Sequence, residues 1–143
     1  DKFFNWDALS GFNNIIVFII IIICAVVGLL HYDNIYTFVT ALVTVLTLVY
    51  LHFIVRVDWI TKATVVYGIL MLGFFPVNGV LTGSGLESPI VNYNPADFMG
   101  VRMFTIPVED AVYGYTQFLL VLYFFHLFAK KYYAERANLR MLK

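Results

Sequence analysis

The chain has 143 residues, nine Lys and Arg against nine Asp and Glu, and a formal net charge of zero. Hydrophobic residues make up 62% and charged residues 13%, where soluble domains run at about 45–50% and about 25%. A neutral chain offers no basic face for nucleic acid, and one this short cannot bury so much apolar surface in a single core. Lipid must cover the remainder, so the composition predicts an integral membrane protein. The mean hydropathy of +0.84 agrees. Cys24, the single cysteine, lies inside an apolar run and can form no intrachain disulfide; it reads as a small buried residue.

The sequence starts at Asp1 rather than Met, and residues 1–12 lack the basic n-region of a signal peptide. The expectation is a processed chain or one part of something longer. A spanning helix needs about 20 mostly apolar residues. The first predicted helix covers 15–30 and is apolar on every side, as suits immersion in lipid. His31 to Asn34 make a short polar turn. The second helix covers 35–55 and carries Thr37, Thr40, Thr44 and Thr47. Their hydroxyls can bond carbonyls of their own helix or of a neighbour. Arg56, Val57 and Asp58 end it.

The third predicted helix covers 59–81, with Pro76, Asn78 and Gly79 near its end. A long polar connection rich in Gly, Pro, Asn and Ser fills 82–106. The fourth helix covers 107–129. Pro107 suits its first turn, where a missing N–H does no harm, and Glu109 and Asp110 sit at the positive end of the helix dipole. The tail from Lys130 is basic and predicts an amphipathic or frayed helix in water. The fold class is therefore all-α and polytopic, with about four transmembrane helices and a long polar connection before the last. No repeat, heptad or low-complexity linker divides the chain, so 1–143 reads as one domain.

Lys and Arg set the topology. The tail holds Lys130, Lys131, Arg136, Arg140 and Lys143; the 56–62 loop holds Arg56 and Lys62; the connection holds only Arg102, the 31–34 turn none, and the N-terminal segment Lys2. Four spans with both termini in the cytoplasm satisfy every segment, for a multi-pass protein of the cell membrane.

Chemistry concentrates in 76–117. Asn78 and Gly79 interrupt an apolar helix, and polar backbone at membrane depth is tolerated only where protein buries it or a cavity receives it. The plain reading is that Pro76, Asn78 and Gly79 end the helix. Glu109 and Asp110 open a long apolar helix, where a charge costs about 2.5–3.5 kcal/mol at the centre and less at the interface. A carboxyl withdrawn from water tends to keep its proton, as a general acid requires; the plain reading is helix-dipole electrostatics. Arg102 can pair with either acid, bond carbonyls of the connection, or lie at the interface. Helical spacing puts Tyr113, Thr116 and Leu120 on the face of Glu109, and Gly114, Gln117 and Val121 on that of Asp110. An aromatic face one turn from an acid suits a cationic intermediate, though most membrane aromatics pack or anchor. His52 and His126 fall near the inner helix ends; a haem between them has no other support, and interface histidines are the plain reading.

The ordered series NGVLTG at 78–83, PIVNYN at 89–94 and GVRMFTIPVED at 100–110, followed by Tyr113 and Gly114, resembles the integral-membrane, non-flavoprotein lycopene cyclase family. The resemblance covers roughly 30–128 and is sharpest at 76–114. In that family a similar unit occurs twice, and the likeness here is to the second, C-terminal unit of fused or heterodimeric enzymes. It implies one half of a cyclase whose other half is an upstream unit or partner subunit. Asn78 departs from the other unit, which tends to carry an acid there.

The implied reaction is a lycopene beta-cyclase isomerisation in carotenoid biosynthesis, converting linear carotene ends to β-ionone rings without net redox. Glu109 would be the acid and Asp110 its partner or base. Arg102 and Asn78 would position the carboxyls. Tyr113 and Phe104 would shield the cation, with Tyr93, Asn94 and Pro107 belonging to the supporting motifs. No metal, no cofactor and no nucleic acid are implied; the partners are the carotene, the bilayer and the missing half. Two readings from other classes stand beside this one. A proton-linked transporter fragment calls for further ionisable residues along the spans, and helices one to three carry almost none. A structural subunit of a membrane complex explains length and hydrophobicity, yet not the ordered motifs. Within the family, a sister enzyme that hydrates carotene ends is a further alternative.

Overall fold

The computed structural model describes residues 11–141, with side chains through residue 132. Lys2, Arg136, Arg140 and Lys143 of the charge count, and the polar face expected of the tail, lie outside the described side chains. The order is α1 (Asn13–Leu30), α2 (Ile35–Val49), a π-helical turn that continues it (Tyr50–Val55), α3 (Ile60–Leu81), β1 (Arg102–Met103), β2 (Ile106–Pro107) and α4 (Val108–Met141). Among the described residues, four helices are long and apolar enough to cross a membrane: Asn13–Leu30, Ile35–Val55, Ile60–Leu81 and Val108–Tyr132. The all-α polytopic expectation holds, and each predicted helix lies within two residues of the observed one apart from the longer C-terminal end of α4.

Two boundaries differ from expectation. Pro107 is not in the first turn of α4. It is fully buried one residue earlier, where it pairs with Arg102 in a two-residue antiparallel ladder. Its lack of an N–H leaves Val108 to close the approach by donating to the Val101 carbonyl at 3.1 Å. The α2 span ends as a π turn, and Arg56 then adopts φ 60° while Val57 N–H reaches back to the Leu51 carbonyl. A left-handed residue closing a helix end is a common C-terminal device.

The helices form a closed ring of contacts: α1 on α2, α2 on α4, α4 on α3 and α3 on α1. Gly28 lets α1 and α2 come close, since a Cβ there would stand 3.0 Å from the Ala41 Cβ; small residues serve this purpose where lipid gives no hydrophobic drive for association. The apolar core is Val17, Leu48, Leu51, Ile60, Ala63, Tyr115 and Leu119. It lies toward the end where α1 and α3 begin. Buried Asn13 stitches that end together. Its amide donates to the Val57 carbonyl at 3.2 Å, and its oxygen accepts from Thr61 N–H at 3.0 Å and the Thr61 hydroxyl at 3.2 Å. Asn13 thereby supplies α3 with the cap that its own Trp59 does not.

The opposite end is closed by hydroxyls. Thr82 donates to the Asn78 carbonyl at 2.8 Å, and Thr105 donates to the Gly79 carbonyl at 3.2 Å while meeting Thr82 and Ser84 at 2.8 and 2.7 Å. The last carbonyls of α3 are thus engaged by the connection, as membrane depth requires. The Asn13→Leu variant is expected to lose about 1–3 kcal/mol, because it leaves Thr61 and Val57 groups buried without partners. Thermal unfolding of detergent-purified protein measures it, and in a Thr61→Val background the loss from Asn13→Leu should shrink.

Candidate active site

Both acids are buried, Glu109 at 2% exposure and Asp110 at 7%, and each is held by a different part of the chain. Glu109 Oε1 accepts from the Thr37 hydroxyl at 2.5 Å and from Met99 N–H at 2.9 Å. Met99 N–H is shared with the Thr37 oxygen, also at 2.9 Å. Glu109 Oε2 is buried and has no hydrogen-bond partner among the described residues. Asp110 Oδ1 accepts from the Tyr36 hydroxyl at 2.5 Å, and Oδ2 from the Tyr93 hydroxyl at 2.6 Å. Adjacent residues on a helix point about 100° apart. One carboxyl therefore turns toward Thr37 and the other toward the two phenols.

The connection is docked so that it can make these bonds. Asn34 donates to the carbonyls of Ala96 and Phe98 at 3.0 and 3.2 Å, and Tyr36 N–H donates to the Asp97 carbonyl at 2.8 Å. The first N–H groups of a helix have no partner within it, and the connection satisfies one of those of α2. Asn94 turns the chain locally: its carbonyl accepts from Asp97 N–H and its side chain from Ala96 N–H. The Tyr36 and Tyr93 rings stack at 5.8 Å, Tyr93 meets Phe98 edge-on, and the Arg102 guanidinium lies 4.7 Å over the Phe98 face.

Beside Asp110 opens a cleft of about 420 Å³, walled by Tyr36, Tyr67, Phe74, Asn78, Tyr93 and Tyr113 among others. Tyr67 spans from α3 to α4 and donates to the Ala111 carbonyl at 2.7 Å. Gly114 makes this possible, since a Cβ there would lie 2.7 Å from the Tyr67 hydroxyl. Outside the spans, Tyr93 has a phenol pushed well above the ordinary range. Burial is the main cause, followed by the hydrogen bond and charge of Asp110, with Arg102 opposing.

Several expected roles fall elsewhere. Arg102 pairs with neither acid: it donates to the Thr105 carbonyl at 2.6 Å and secures the hairpin turn. Asn78 bonds the Phe74 carbonyl at 3.2 Å, although it does line the cleft. Phe104, at 87% exposure and φ 58°, occupies the hairpin tip edge-on to Phe75 rather than the cleft wall. Tyr93, Tyr113 and Asp110 do come together. His126 stacks on Trp59, and His52 packs edge-on against Phe53. Tyr36, Thr37 and Asn34 hold the site from α2 and its approach; the threonine series offers Thr37 as a hydroxyl able to reach a neighbouring helix, while no local pattern in the sequence points to Tyr36 or Asn34.

The profile of the family described as lycopene cyclase matches residues 33–128, more than half of the chain. The chain belongs to the lycopene cyclase family. Comparison with curated proteins and with solved structures gave no match. The span shared with the lycopene cyclases takes in α2, α3, the connection and most of α4, so it contains every residue of the acid site and leaves α1 outside. Membership ties the chain to carotenoid cyclisation.

For this lycopene cyclase domain the Tyr93 environment is measurable. At about pH 10, where ordinary phenols ionise, Tyr93→Phe is expected to leave the ultraviolet tyrosinate signal unchanged, because Tyr93 is still neutral there. Asp110→Asn removes two of the three causes that raise it, so the late alkaline phase should move to lower pH.

Proposed function

We propose that this chain supplies the acid half of a membrane active site that closes β-ionone rings on linear carotene ends by protonation, without net redox. The observation that carries this reading is the unpartnered Oε2 of buried Glu109 beside an Asp110 anchored at the wall of an aromatic cleft. Two donors address Glu109 Oε1, which marks that oxygen as the acceptor. A proton on Glu109 then sits on Oε2, where no described acceptor competes for it. That is the state a general acid needs.

A proton from the carboxyl pair, of which Asp110 lines the cleft and Glu109 lies behind it, passes to the terminal double bond and forms a C–H bond, leaving a tertiary cation. An internal double bond attacks the cation, which forms the ring C–C bond and moves the charge into the ring. Loss of a neighbouring ring proton to the carboxyl pair restores a double bond. One proton enters and one leaves, so the product is an isomer and the pair ends with its starting proton count. Water would trap the cation, so the reaction needs the cleft closed off from solvent. The faces of Tyr67, Phe74 and Tyr113 attract positive charge, and Asp110 lies beside them. Tyr113 remains half exposed, which supports a complementary upstream half or partner subunit that covers the cleft. Lys and Arg placement supports an orientation in the cell membrane with both termini cytoplasmic.

In lycopene-producing bacteria that carry the chain joined to its upstream half, chromatography of pigments should show ring-bearing carotenes. Glu109→Gln is expected to lower ring formation about 100-fold or more, the scale of a lost general acid. Thr37→Val, which frees Oε1 from its hydroxyl, should cost about tenfold, or about 1.4 kcal/mol in the barrier. Undiminished cyclisation by Glu109→Gln, at verified membrane expression, rules out its role as the acid.

A further inference from the structure

A second cavity, of about 340 Å³, lies in the seam between α2 and α4. It shares Tyr36, Tyr113 and Gln117 with the cleft beside Asp110, so the two adjoin. Its remaining walls include Val39 and Val43 on α2 and Leu120 on α4. Tyr36 to Val43 and Tyr113 to Leu120 are each seven residues, which carries the groove about 10 Å along the helix axes at 1.5 Å per residue. It runs from the acids toward the middle of the Ile35–Val55 span.

Two threonines line the seam, Thr40 and Thr116, and the hydroxyl of Thr116 is turned into the protein. Thr116 donates to the Val112 carbonyl at 3.0 Å and meets Thr44 at 2.7 Å. Apart from the two phenols no ionisable group lines the groove, and Gln117 is its one amide. The cavity on the other side of Tyr36 is different in kind. Asn92, Asn94 and Asp97 of the connection line it, and an apolar chain placed there would strip polar groups of water without replacing their bonds. Tyr36 and Val39 line both cavities, so the amides and Asp97 of the connection distinguish the first, and the Tyr36 hydroxyl holds Asp110.

We infer that the α2–α4 groove is the subsite for the polyene tail of the substrate. It holds the linear chain along the helix axes, with the reacting end against Asp110 and the remainder directed into the bilayer. This rests on the proposed cyclisation. It adds that Val43 and Leu120, which touch no reacting atom, determine how well a long substrate is accepted. An occupant of this polarity matches an apolar groove beside a carboxyl-lined cleft, and binding sites for lipophilic ligands are built in this way, apolar with few polar groups.

The test uses membranes carrying the full assembly and two substrates: lycopene, and a truncated acyclic polyene with the same terminal isoprene units. Val43→Trp and Leu120→Trp fill the groove; Leu46→Trp and Val121→Trp change exposed positions on the same helices. The first pair is expected to cut lycopene cyclisation about tenfold or more while the short substrate stays within about threefold of wild type, and the second pair should leave both near wild type. Lycopene retained by purified protein, read by its visible absorbance, should fall in the first pair and persist in Glu109→Gln, which lines no part of the groove. Equal loss of both substrates in the groove variants, lycopene cyclisation equal to that of the exposed-site controls, or no lycopene retained by wild type overturns the subsite. Activity in Glu109→Gln overturns the acid instead, and leaves retention in the tryptophan variants to judge the groove.

Discussion

The hydrogen bond from Thr37 to Glu109 joins three distant parts of the chain at one buried point. Thr37 belongs to α2 and Glu109 to α4, and Met99 N–H brings in the connection through the same two oxygen atoms. Irregular backbone beside hydrocarbon must find its partners within the protein, and the 82–106 connection finds many of them here and at Asn34. Asp110 repeats the arrangement one residue on, with one phenol from α2 and one from the connection. The acids are therefore fasteners of the fold as well as the proposed reactive groups. A site assembled this way is preorganised by the contacts that close the fold, which limits how far its carboxyls can drift from useful geometry.

The molecule has two ends of different character. Around Leu48, Leu51, Ile60 and Leu119 the helices meet through apolar side chains, with Asn13 as the polar stitch. Around the acids they meet through phenols, hydroxyls and backbone groups, with few large aliphatic side chains buried. Apolar packing tolerates modest rearrangement as long as volume is kept. Directional bonds do not, and they fix orientation as well as distance. Reactive groups at the directional end are held in position, while the apolar end supplies much of the burial.

Much of this was legible in the sequence, and the part that was not has a common cause. Long apolar runs separated by short polar turns define spanning helices almost by length alone, and the acids at 109 and 110 stand out because nothing around them is charged. Tyr36 was hidden and Thr37 half legible. A tyrosine at a helix start looks like an interface anchor, and a threonine in a span announces a hydroxyl able to reach a neighbour but not which one; their partners lie 74 and 72 positions away. Arg102 and Asn78 misled through proximity. Both stand near the acids in order, yet Arg102 bonds a carbonyl of the connection, one of the alternatives its position offers, and Asn78 bonds the backbone of α3. The π turn at Tyr50–Val55 leaves no mark in the pattern of residues, because apart from His52 the segment is apolar or aromatic throughout.

Gly114 carries no functional group, yet the width of the reaction space hangs on it. The Tyr67 hydroxyl occupies the volume that any larger residue would claim, and from there it reaches across to the Ala111 carbonyl. A methyl group at this position would evict a phenol that is itself part of the cleft wall. Changes of substrate shape would then arise from a chemically silent position, with the acids and their fastenings untouched. In this architecture the missing side chain works as a template: the outline of what can react is drawn partly by an absence.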